Sequence, residues 1–167
     1  GAHIEVLNPR EEAGEPVADL RVLSRPLHGV RIGPDQIPQT IDEFPILCVA
    51  AAVAEGETVV TGAEELRVKE SDRIATMAKE LRAMGARIEE RPDGMVIQGL
   101  GHNGANGALT GAICESHGDH RVAMSVAIGG LTAAQATQIQ NTACIETSFP
   151  NFDRKLLELL TDSGNRL

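Results

Sequence analysis

Two hydrophobic periods alternate along the chain. ADLRVLS (18–24) and HGVRIG (28–33) place apolar and polar residues by turns, as strands do, around the turn-like RPL, and the opening GAHIEVLNPR enters a strand-like run almost at once. DEFPILCVAAAVAEG then predicts a helix from Asp42 to a stop at Gly56, with Pro45 in the first turn, where its missing N–H is tolerated. ETVVTGA (57–63) reads as a strand, and SDRIATMAKELRAMGA predicts a helix over 71–86 with Ser71 as N-cap and Gly85 as its C-terminal signal. Ile74, Met77, Leu81 and Met84 keep helical spacing in that segment, which leaves Lys79, Glu80 and Arg82 to its other faces. Residues 86–99 form a hairpin pattern around Pro92, Asp93 and Gly94, and the Gly- and Asn-rich 99–107 reads as a loop. The strand-like ALTGAICES (108–116) follows, then DHRVAMSVAIGGLTA, ATQIQNTA, and a final amphipathic helix in NFDRKLLELLTDSG (151–164).

Residues 42–63 and 119–143 repeat a theme: each opens with an Asp, continues as an apolar, small-residue helix with little polar stripe, and ends in a strand. Helices apolar nearly all round belong in the middle of a structure. The expected fold is α/β, with sheets outside and helices inside.

Composition narrows the function classes. The 167 residues are 42% hydrophobic and 23% charged, as in a globular protein with one sizeable core or two small ones. A formal charge of -9 argues against a general nucleic-acid or acidic-membrane surface, so an anionic ligand must meet a local cationic cluster. With Phe present three times and no Trp or Tyr, platforms for stacking bases or sugars are nearly absent. Cys48, Cys114 and Cys144 sit among small apolar residues and read as reduced core thiols of a cytoplasmic protein. No apolar run reaches the roughly 20 residues of a membrane helix. The first residues lack an initiator Met, so the start reads either as an added scar or as a cut inside a longer protein.

The candidate chemistry lies at two helix starts. In RVKESDR, Arg67 to Arg73, Lys69 and Arg73 stand four apart, so a partly helical path puts both on one face beside Glu70 and Asp72. Backbone N–H groups at a helix start attract a phosphate or carboxylate. On spacing alone a solvated helix end with compensating ion pairs is the favoured alternative. Asp42 and Asp119 each head an apolar helix, where capping is the default role. Behind Asp119 stand His120 and Arg121, and an Arg in the first turn of a buried helix needs an anionic partner, which a bound carboxylate would supply. His117 and His120 at i, i+3 lack a third spaced ligand, so metal binding ranks below anion binding.

RVKESDR with ELRAMGA after it, GDHRVAMS (118–125), IDEFPILCVAAAVAEG, LNPREEAGEPVADL and ETSFPNF resemble the C-terminal signatures of the 5-enolpyruvylshikimate-3-phosphate synthases, in the style of the class II, glyphosate-tolerant branch. The resemblance runs from near residue 5 almost to the end, yet covers well under half of a family member.

That resemblance implies transfer of the enolpyruvyl group from phosphoenolpyruvate to the 5-hydroxyl of shikimate 3-phosphate in the shikimate pathway, which leads to chorismate and the aromatic amino acids. It implies no metal or organic cofactor, and repeated βαβαββ units in an inside-out α/β barrel-like domain with helices inward. About two units are expected, roughly residues 15–100 and 101–167, with an N-terminal domain absent from the chain and a monomeric parent. Carried over by motif, Asp42 is implied to contact the shikimate hydroxyls and take the 5-hydroxyl proton, and Glu70 to protonate the phosphoenolpyruvate methylene. Lys69 is implied to lie near shikimate 3-phosphate, and Arg73 and Arg121 to hold phosphoenolpyruvate, with Asp119 and His120 alongside. A positioned acid must be neutral at the right moment, and two guanidinium forks neutralise carboxylate and phosphate. Many family members carry a Lys where this chain has Thr147, which has no assigned role. Two alternatives remain: the sister enolpyruvyl transferase acting on UDP-N-acetylglucosamine, and a non-catalytic anion- or partner-binding fragment.

Overall fold

A computed structural model describes residues 1–101 and 109–162. The expected loop at 99–107 and strand at 108–116 fall partly, and the last residues of the final helix wholly, outside the described residues. Strands β1 (His3–Glu12) and β2 (Glu15–Leu23) form an antiparallel hairpin. Its turn, Ala13 and Gly14, has φ of 53° and 85°, the left-handed pair that a tight hairpin needs. β3 (Arg31–Ile32) is shorter than the HGVRIG pattern suggested and leads into a one-turn helix α1 (Ile37–Thr40) and then α2 (Phe44–Val53). β4 (Glu57–Val60) returns parallel to β3.

A 3₁₀ turn, Glu64–Val68, connects β4 to α3 (Arg73–Ala83), and β5 (Arg87–Arg91) and β6 (Gly94–Gln98) form the expected hairpin. The four-stranded sheet runs β3-β4-β6-β5, with only the β3–β4 pair parallel. β7 (Ile113–Glu115), α4 (His120–Gly130) and β8 (Gln138–Gln140) make a second crossover whose two strands are again parallel. Among the described residues of ALTGAICES, 113–115 pair as a strand and Leu109 makes an isolated bridge to Ala133. A 3₁₀ turn at Thr142–Thr147 and α5 (Phe152–Asp162) complete the described chain.

Helices α2, α3 and α4 pack against one another, and α2 and α3 also contact β6. Their shared core includes Phe44, Cys48, Val49, Ala52, Ile74, Met77, Leu81, Met84, Val122 and Val126. Small residues such as Ala51, Ala52 and Ser125 suit this close approach of helices. Gly85 ends α3 at φ 87°, which a residue with a Cβ rarely adopts. The apolar stripe foreseen in α3 is fully buried, with Ile74, Met77, Leu81 and Met84 all at 0% exposure. Replacing Leu81 by Ala should cost about 2–5 kcal/mol in urea unfolding, from lost burial plus a cavity. Val68→Ala, at a site 80% exposed, should stay within about 0.5 kcal/mol of the parent.

Candidate active site at the starts of three helices

The first turns of α3 and α4 meet through a buried charge pair. Asp119 is 0% exposed and caps α4: its Oδ1 accepts from Arg121 N at 2.9 Å and Val122 N at 3.3 Å. Its Oδ2 accepts from Arg73 Nε at 2.9 Å and from Ser71 Oγ at 3.1 Å. Arg73, the first residue of α3, is itself only 1% exposed. Its outer nitrogens donate to Asp42 Oδ1 at 3.2 Å and to Glu70 Oε2 at 2.7 Å. Burial opposes the charge on both partners, but the Arg73–Asp119 hydrogen bond and attraction prevail. The Asp119 carboxyl is held below its ordinary value, helped by the Val122 and Arg121 N–H groups, and the Arg73 guanidinium is raised above its own.

Asp119 is the helix cap the sequence suggested; Asp42 is not. α2 begins at Phe44, residue 43 holds its N-cap position without a side-chain bond, and Pro45 lies in its first turn. Because the chain before Phe44 is a turn rather than the helix start, the Asp42 carboxylate is free to face sideways. It stands between two arginines: Arg73 on one side, and on the other Arg121, whose Nη2 lies 3.5 Å from Asp42 Oδ2. Arg121 Nη1 also donates to the Asp42 carbonyl at 2.9 Å and lies 3.7 Å from Glu43. The anionic partner foreseen for Arg121 is therefore supplied, within this chain, by residues 42 and 43. A hollow of about 180 Å³ opens here, lined by Asp42, Arg121, Ile46, Met124 and their neighbours. Larger hollows of about 310 and 410 Å³ are lined mainly by apolar side chains and lie away from this cluster.

RVKESDR is not one helical face. Residues 69–71 form bends between the 3₁₀ turn and α3, so the expected partly helical path from Lys69 to Arg73 is absent. Lys69 turns back to Glu65 at 2.7 Å. Asp72, not Ser71, caps α3, accepting from Ala75 N at 2.9 Å; the two residues are adjacent, and Ser71 is drawn off by its bond to Asp119. Arg67 is a strut: it donates to Pro92 O at 2.7 Å, to Asp72 Oδ2 at 2.8 Å, to Glu90, and to the Arg91 carbonyl. It ties the hairpin turn to the cap of α3.

Glu80, off the apolar stripe of α3, is nonetheless 2% exposed. Its Oε2 accepts from Glu115 N at 3.0 Å, and its Oε1 lies 2.7 Å from His117 Nε2. Burial works against its charge, yet His117, the Glu115 N–H and Lys79 outweigh it and hold the carboxyl below the ordinary range. A helical carboxylate and a histidine 37 residues apart carry no mutual signal in sequence. His120, the first residue of α4, is half-buried. Among the described residues no group of three or more His, Cys, Asp or Glu is disposed to hold a metal ion, and no helix is long and apolar enough to cross a membrane. Cys48 and Cys114 are core residues with thiols raised by burial, Cys114 to about 11. Cys144 is only half-buried, on the 3₁₀ turn at Thr142–Thr147 rather than in the core.

A family model described as EPSP synthase (3-phosphoshikimate 1-carboxyvinyltransferase) matches residues 2–156. The chain belongs to the EPSP synthase family. It is 55% identical over 152 residues to the 3-phosphoshikimate 1-carboxyvinyltransferase of Geobacter sulfurreducens, covering 91% of this chain and 34% of that protein. It is 57% identical over 152 residues to that of Gloeobacter violaceus, with the same two coverages, 91% and 34%. The structure of an EPSP synthase from Acinetobacter baumannii superposes with a TM-score of 0.85 at 47% identity, over 92% of this chain and 35% of that one. The likeness supports an α/β enolpyruvyl transferase fold. The chain spans about a third of the length of these EPSP synthase relatives.

The Asp119 carboxyl is lowered by folding, so the stability it lends is complete above its unfolded value of about 3.9 and is lost as pH falls through the lower folded value. Asp119→Asn should cost about 3–5 kcal/mol at pH 7, since Arg73 loses its buried counter-charge. Urea unfolding from pH 7 to pH 2 should show a shallower acid loss in this variant than in the parent.

Proposed function

We propose that this chain forms one wall of the active site of a 3-phosphoshikimate 1-carboxyvinyltransferase, acting in the shikimate pathway. The parent enzyme moves the enolpyruvyl group of phosphoenolpyruvate onto the 5-hydroxyl of shikimate 3-phosphate and releases phosphate. The observation that carries the reading is the placement of Asp42 between Arg73 and Arg121, with Glu70 on a further nitrogen of Arg73. Two arginines and two candidate proton carriers thus share one patch. Both carboxylates are about half exposed, at 49% of the side chain, while the Asp119 behind them is buried.

In this reading an entering phosphoenolpyruvate takes the outer nitrogens of Arg73 and the fork of Arg121, displacing their internal carboxylates. Asp119 keeps Arg73 Nε and so keeps the guanidinium aimed. Asp42 accepts the 5-hydroxyl proton as that oxygen bonds to the carbon bearing the phosphate, and Glu70 delivers a proton to the methylene carbon. Return of a proton from that carbon to Glu70, as the C–O bond to phosphate breaks, restores the double bond in the product. Lys69, released from Glu65, lies near the phosphate of shikimate 3-phosphate, and His120 beside the reacting group. No metal or organic cofactor has a part.

The two parallel crossovers, β3-α2-β4 and β7-α4-β8, support two βαβαββ units, roughly residues 15–100 and 101–167, of an inside-out barrel with helices inward and sheets outward. The remaining portion of the parent, a cytoplasmic monomer, supplies the facing wall.

Mixing this chain with a separately expressed N-terminal portion of the synthase should produce phosphate from phosphoenolpyruvate and shikimate 3-phosphate. Asp42→Asn and Glu70→Gln should each lower that rate about a hundred- to ten-thousand-fold. Turnover of UDP-N-acetylglucosamine instead, or no turnover from two folded pieces, would contradict the assignment. Calorimetric titration of the chain alone with phosphoenolpyruvate should show weak binding that Arg121→Ala abolishes.

A further inference from the structure

Helix α3 grips the segment that leads into α4 at two points. Arg73 and Glu80 are seven residues apart, two helical turns and about 10 Å along one face. Both are charged and both are buried, at 1% and 2% exposure. Arg73 reaches Asp119 at the end of that segment, and Glu80 reaches its beginning, through Glu115 N, and its middle, through His117.

The segment between these points has an unusual backbone. His117 and Gly118 have φ of 56° and 72°, two left-handed residues in succession. Glycine accepts this freely, but histidine does so only where surrounding contacts hold it. Ser116 closes the turn, donating from Oγ to the Asn141 carbonyl at 2.8 Å and accepting from Gly118 N at 3.1 Å, while Asp119 N donates to Ser116 O at 3.0 Å. Among the described residues, the His117 ring has its hydrogen bond with Glu80 Oε1. Placing Asp119 at the depth where it meets Arg73 Nε therefore depends on a turn that Glu80 holds from beneath.

We infer that Glu80 and His117 are positioning residues, a strut with its carboxylate buried and its ring half-buried that sets the Glu115–Asp119 turn and, through Asp119, the aim of Arg73. The inference rests on the functional reading for its consequence in binding, but not for its geometry. Neither residue touches the open face where Asp42 and Glu70 lie. Lys79, 3.4 Å from Glu80 Oε1, and the neighbouring Cys114 are the other titratable groups against this carboxylate.

The test is hydrogen exchange at the Arg73 side-chain Nε–H, followed by nitrogen-15 NMR on the whole chain. Glu80→Ala and His117→Ala should each speed that exchange at least about tenfold, while backbone amides of α2 such as Ala52 keep their protection. Glu80→Gln, which retains an acceptor for Glu115 N and a polar partner for His117, should stay within about threefold of the parent. Unchanged Arg73 exchange in Glu80→Ala would overturn the inference, as would exchange that rises equally at Arg73 and across α2, the mark of general loosening. If Glu80→Ala does not fold, His117→Ala and Glu80→Gln decide it by the same comparison. Phosphoenolpyruvate affinity of the same proteins should fall about tenfold in Glu80→Ala. Equal affinity in parent and variant would also overturn the inference. A parent that does not bind at all would contradict the functional reading and leave the exchange result standing.

Discussion

Arg73 cannot shed its proton at any pH a protein meets, and at 1% exposure it has almost no water to share its charge. Such a group is tolerated only where carboxylates surround it with good geometry, and three of them, from three separate segments, do so here: Asp119, Asp42 and Glu70. The partners are graded by depth. Asp119 is fully buried and holds Nε, whereas Asp42 and Glu70 are half exposed and hold the outer nitrogens. One side of the guanidinium is anchored by a buried carboxylate, and the other is covered by two carboxylates that solvent reaches.

The grading explains how an acidic chain of formal charge -9 can receive the proposed anionic substrates. Cations in the site are not bare; they are held in place by internal carboxylates that an incoming anion can replace at similar charge. The apolar packing of α2, α3 and α4 matters for the same reason. Small residues let the helix starts approach closely, and the shared core behind them brings the Asp42 and Asp119 side chains to Arg73.

Much of this was legible in the sequence. Apolar spacing and Gly85 marked α3 within a few residues, the heads of the apolar helices drew notice to Asp42, Asp119 and Arg121, and the charge-dense junction before α3 to Lys69, Glu70 and Arg73. What sequence could not rank was which of two adjacent residues caps a helix. Ser71 and Asp72 are both good caps, and the choice went to Asp72 because Ser71 is engaged by Asp119, 48 residues away. Asp42 looked like a cap because it opens the apolar run with Pro45 in its first turn, and only the turn before Phe44 decided the matter. Glu80 was unreadable for a related reason. Helical periodicity says which face a residue lies on, not that another segment will cover that face, and its partners stand at Glu115 and His117. Short strands were overestimated where glycine interrupts a suitable alternation, as in residues 28–33 and 109–116.

A double-mutant cycle on Arg73 and Asp119, using Arg73→Met, Asp119→Asn and the pair, tests the central claim most directly by urea unfolding at pH 7. The account predicts a coupling energy of about 2–3 kcal/mol, the upper end for residues in contact, because each group alone would be a buried charge without its partner. A coupling below about 0.5 kcal/mol, the value for independent sites, would contradict it.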